Sequence, residues 1–142
     1  MDQAMAFIHQ KVSPADLIFV DAATRLQLGH YLCRQEQISV DRSLTGFESF
    51  ECHGFRVIST GQNDGVLTAG TFAKQWQTMA QVYSLLPGVK VWVFQGGWAA
   101  GLGESLRERS PEFSGLQPHS FGRYLEIFEL KVGPPVGRAG QG

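Results

Sequence analysis

The stretch VWVFQGGWAAGLGESL, residues 91–106, constrains this chain more than any other. Residues 89–95 are rich in β-branched and aromatic side chains, the composition of a strand with both faces buried. The run breaks at Gly96-Gly97, passes Trp98, meets Gly101 and Gly103, and ends in helix-forming residues, so a helix is expected over 98–109. A glycine-rich turn between strand and helix can aim backbone N–H groups at a phosphate, and the positive helix end adds attraction. The pattern is incomplete here. No Lys follows the glycines as a P-loop requires, Leu106 stands where a dinucleotide fingerprint needs its third glycine, and Glu104 would repel an anion. The turn is therefore read as close packing around Trp98. A cradle for a phosphate-bearing ligand, running from Gly96 to Gly103, is the alternative.

Elsewhere the clearest element begins at Thr71. Phe72, Trp76, Met79, Tyr83 and Leu86 step by four and three, one face of an amphipathic helix stopped by Pro87-Gly88. Its outward positions carry Gln75, Gln77 and Gln81, with Lys74 as the sole charge. Residues 2–12 read as a short helix. Ser13-Pro14-Ala15-Asp16 is a helix start, so a second helix is expected from Leu17 to Gln35, with Phe19, Ala23, Leu26, His30 and Cys33 on one stripe. Leu17 to Val20 alone would also suit a buried strand. Residues 47–60 read as a strand with a break near Gly54. Asn63-Asp64-Gly65 signals a hairpin between 56–60 and 66–69. Residues 121–132 form a last strand.

This order predicts α+β architecture: a mostly antiparallel sheet of about four strands, with two to four helices packed mainly on one face. At 142 residues one domain is expected, over 1–133, with a flexible tail over 134–142.

Composition narrows function. The net charge is −1, and no stretch is strongly basic, which argues against nucleic acid as a partner. No uncharged run is long enough for a membrane span, and the first residues do not resemble a signal peptide. A cytoplasmic location with reduced thiols follows by default; one disulfide between Cys33 and Cys52 would require export. Charged residues are 18% while ten Phe and three Trp are present. Such a balance suggests an apolar patch covered by another protein or by a second copy.

Chemical motifs are partial. His30 and Cys33 lie one helical turn apart, and Cys52-His53 sit on a strand, so one of that pair could join them in a metal site or a nucleophilic pocket. The spacing matches no standard zinc pattern, and no cofactor or metal is assigned. Gly103-Glu104-Ser105-Leu106-Arg107 is half of a nucleophile elbow. Glu126 and Glu129, three apart on a strand, read as an exposed mixed-charge face. His119 reads as an exposed loop histidine. No catalytic residue is assigned. The reading that remains is a small binding or accessory module acting through protein contact or self-association, using Gln75, Gln77, Gln81, Trp98, Gly96 and Gly97. An enzyme built on His30, Cys33 and Cys52 or His53 is the first alternative, and the phosphate binder is the second.

Overall fold

A computed structural model describes residues 2–33, 40–42, 46–61, 67–96, 101–109, 111–122 and 125–133. At its centre is β1 (Leu17–Val20), four consecutive apolar residues that are all buried. β1 pairs in parallel with β4 (Phe55–Ser59) on one side and with β5 (Lys90–Gly96) on the other. A strand flanked on both edges and covered on both faces is apolar at every position rather than at alternate ones. This is why Leu17 to Val20 forms a strand and not the start of a helix. The helix expected from Leu17 to Gln35 is corrected to α2 (Ala22–Leu32), and its cap is Asp21, not Ser13.

The remaining strands add antiparallel. β3 (Glu48–Cys52) joins β4 through the two-residue turn His53-Gly54. Both residues have positive φ, 48° and 83°, as the mirror-image hairpin turns demand. β2 (Asp41–Arg42) lies outside β3. β7 (Leu125–Lys131) lies outside β5, and β6 (His119–Ser120) lies outside β7. The order is β2-β3-β4-β1-β5-β7-β6. The sheet is thus mixed, with seven strands among the described residues instead of about four.

The chain moves from β1 to β4 in one direction across the sheet, and from β4 to β5 in the other. Parallel connections are almost always right-handed, so helices in these two connections fall on opposite faces. α1 (Asp2–Lys11) and α2 bury Ala4, Ile8, Leu28 and Leu32 against Ile18, Val20, Trp92 and Phe94. α3 (Phe72–Val82) and α4 (Leu102–Arg109) bury Phe72, Met79, Leu102 and Leu106 against Phe19, Val91, Val93 and Phe128. The helices therefore cover both faces, which corrects the one-face expectation. The α+β class stands, and the four α-helices among the described residues fall within the expected two to four.

Three further expectations change. Residues 62–66 lie outside the described residues, and the described part of the expected second arm, 67–69, is not a strand, because both edges of β4 are already taken by β1 and β3. The cysteines are not free: α2 ends beside the end of β3, and Cys33 and Cys52 form a disulfide with Cα atoms 5.4 Å apart. All ten Phe side chains are buried or half-buried, as are Trp76 and Trp92. Two apolar cores, one on each face, use the rings that composition had suggested for an adhesive surface. Among the described residues the exposed large apolar side chains are Leu26, Val40 and Leu86. No described helix is long and apolar enough to cross a membrane. The expected tail, 134–142, lies outside the described residues.

Phe19 is fully buried in β1 while Leu26 is 72% exposed on α2, although the helical stripe treated them alike. Phe19→Ala should cost about 3–5 kcal/mol, and Leu26→Ala should stay within about 0.5 kcal/mol of wild type. Chemical denaturation of both variants checks this.

Candidate functional site

In open sheets with parallel strands, ligands bind outside the carboxyl ends of the strands, where neighbouring strands send their connections to opposite sides. Here that place lies between β1 and β5. β1 leads to α2 on one face, and β5 leads to α4 on the other. Among the described residues, the buried polar side chains at this crest are Asp21, Thr24, Glu48, Ser59, Thr60, Gln95 and Glu126.

Asp21 follows β1 directly. Its Oδ1 accepts the Thr24 N–H at 2.7 Å, capping α2, and its Oδ2 accepts the Leu67 N–H at 3.3 Å. Gln95 Nε2 donates to the Leu67 carbonyl at 3.3 Å. Leu67, in the connection after β4, is thus held at both backbone groups by side chains from the two strands that border the crest. Thr60 Oγ1 accepts the Ala22 N–H at 3.1 Å, which fixes the first turn of α2 to the end of β4. On the α2 face, Arg25 Nη1 lies 2.7 Å from Glu48 Oε2, an ion pair joining α2 to β3. Gln95 Oε1 and Ser59 Oγ have no hydrogen-bond partner among the described residues. They sit on opposite faces of the sheet by strand parity and do not converge.

Glu126 on β7 reaches the start of α4 and accepts the Gly103 N–H at 2.8 Å. The protein's own carboxylate therefore fills the positive end of α4. Burial pushes the Glu126 carboxyl above its ordinary value, and the amides of Gly103, Gly101 and Glu104 pull it partly back. The expected exposed face at Glu126 is corrected: the side chain is 1% exposed. Its signal in the sequence was a lone acid inside the apolar run Leu125-Glu126-Ile127-Phe128.

Each described glycine of the turn has a packing or a backbone reason. Gly96 closes β5, its N–H donates to Thr24 Oγ1 at 3.2 Å, and a Cβ there would lie 3.0 Å from Gln27 Oε1. Gly101 has φ +105°, and a Cβ on Gly103 would meet Phe128 and Pro118 at 2.9 Å. Gly97 and Trp98 lie outside the described residues. Of the glutamines on α3, Gln77 and Gln81 are exposed and Gln75 is half-buried. Ser105 sits within α4 and not at an elbow, its N–H bonded to the Gly101 carbonyl.

The Cys/His constellation does not assemble. The disulfide consumes Cys33 and Cys52, His30 packs its ring edge-on to Tyr31, and His53 occupies the β3–β4 turn. No group of three or more potential metal ligands occurs among the described residues. His119 is exposed, on β6 rather than in a loop, with its ring 4.9 Å from that of Phe7. Asp21 escaped the sequence reading, although Asp21-Ala22-Ala23-Thr24 after an apolar run is a recognisable cap signature. Compared with protein-family models, curated proteins and solved structures, the chain has no match.

Two outcomes follow. Folding favours the protonated form of Glu126, so wild-type stability should fall as pH rises from the ordinary 4.5 through the raised value of the folded state. Glu126→Gln keeps an acceptor for Gly103 and should lack that slope, read from denaturation midpoints across pH. Gly103→Ala should cost about 1–3 kcal/mol through overpacking against Phe128 and Pro118, measured the same way.

Proposed function

We propose that this chain is a binding module that acts by self-association, adding β7 of a second copy to its own sheet. The observation that carries this reading is an open strand edge. The Val132 N–H donates to the Val89 carbonyl. By antiparallel alternation Leu130 and Phe128 turn their backbone groups toward β5, and Glu129 and Lys131 turn theirs outward. On that outer side β6 reaches only Ile127 and Glu126. β6 begins at His119, so among the described residues its ladder with β7 ends before Glu129. Among the described residues no strand lies beyond Glu129 and Lys131.

An exposed lysine ordinarily guards such an edge. Lys131 is exposed and stands directly opposite Lys90, a like-charge pair. A two-fold antiparallel addition centred on Leu130 would set Glu129 of each copy against Lys131 of the other, turning the guard into complementary cross-strand pairs. The crest residues support a role in contact rather than in chemistry, since Asp21, Thr60, Gln95 and Glu126 each hold a backbone group of the fold. An edge this short falls well below the roughly 1,600 Å² of a stable complex, so the dimer is weak and concentration-dependent.

Sedimentation velocity over a concentration series tests the proposal. Wild type should shift toward dimer as concentration rises, Glu129→Lys should lose the shift, and the Glu129→Lys/Lys131→Glu exchange should restore it. A wild type that stays monomeric to millimolar concentration would overturn the reading. So would a dimer that ignores Glu129→Lys but is lost in Gln77→Glu/Gln81→Glu, which would move the surface to α3.

A further inference from the structure

Both cysteines of the chain end in one buried bond. Cys33 caps the C-terminus of α2, and Cys52 is the last residue of β3. The bond between them fastens α2 to the β3–β4 hairpin and encloses the segment that carries β2. A chain of this size buries enough surface to fold with no staple. The core therefore does not demand the cross-link, and its presence reflects the surroundings. In the cytosol, glutathione and thioredoxin keep thiols reduced, whereas structural disulfides persist in oxidising compartments. Cysteine usage agrees: the chain has two cysteines and both are bonded, so no stray thiol remains.

We infer that Cys33 and Cys52 are a maturation site, and that this domain works in an oxidising compartment where a disulfide-bearing exchange protein installs the bond. This replaces the cytoplasmic location expected from composition. The thiolate of one cysteine attacks the exchange protein's disulfide; that bond breaks, a mixed disulfide forms, and one sulfur of the exchange protein leaves as a thiolate. The thiolate of the second cysteine then attacks the chain's own sulfur in the mixed disulfide. The Cys33–Cys52 bond forms and the exchange protein departs as a dithiol. Two electrons and, in net, two protons pass from the cysteine pair to the exchange protein. Once formed, the bond is shielded, with Cys33 4% and Cys52 1% exposed. Its role is structural, and it rests on no part of the self-association reading.

Acid quenching of the producing cells of the source organism freezes thiol exchange. Denaturation and alkylation with a mass-tagged maleimide then count free thiols on the full chain. Wild type should take no tag before reduction and two tags after it, and Cys52→Ser should take one. Two tags on unreduced wild type would overturn the inference, as would a disulfide-linked dimer on a non-reducing gel. If Cys52→Ser fails to accumulate, the wild-type count with and without reductant still decides.

Discussion

The fold depends on a strand with no wet side. β1 is bordered by β4 and β5 and covered on both faces, so all four of its side chains are buried. Burying four apolar residues in a row favours collapse, but it also leaves the chain to leave the sheet at a place from which water is excluded. A backbone group stranded there costs about 1–3 kcal/mol. Asp21 answers that demand. It ends β1, caps α2 and holds the Leu67 amide, so one carboxylate serves three elements. Gln95, Thr60 and Glu126 do comparable work around it.

This division of labour bears on function. The crest between β1 and β5 is where an open sheet ordinarily presents groups to a ligand. Here Asp21, Thr24, Thr60, Gln95 and Glu126 each bind the protein's own backbone. The start of α4, where a phosphate would be drawn, already holds the Glu126 carboxylate. Gly96 and Gly103 are small because α2, Phe128 and Pro118 approach them closely, which gives both glycines a packing purpose. Among the described residues no strand lies on the outer edge of β7 beyond β6, and the strand addition we propose there would use main-chain hydrogen bonds.

Much of the architecture was legible in the residues. The strand at residues 89–95, the helix that starts after Thr71 and a last strand, expected over 121–132 and formed by Leu125–Lys131, announced themselves by periodicity and composition. Leu17 to Val20 did not, because a short apolar run suits a helix and a buried strand equally, and a plausible cap at Ser13 tipped the balance. Asp16 shows why that cap misled: its carboxylate accepts the Ser13 N–H within a turn and the Trp92 indole N–H from β5. The phase shift at Gly54 was visible, yet only the pairing of β3 with β4 reveals it as a two-residue turn. The disulfide was the harder case. Cys33 and Cys52 lie nineteen positions apart in sequence, and nothing local says that the end of α2 meets the end of β3. Glu126 was hidden for a related reason: its partner amide lies twenty-three residues earlier.

The central claim is that β1 organises the whole sheet, and amide hydrogen exchange tests it most directly. The amides of Ile18, Phe19 and Val20 should exchange only through global unfolding, with opening free energies equal to the stability measured by denaturant, while β6 opens at far lower cost. Exchange at β1 as fast as at β6 would contradict the account.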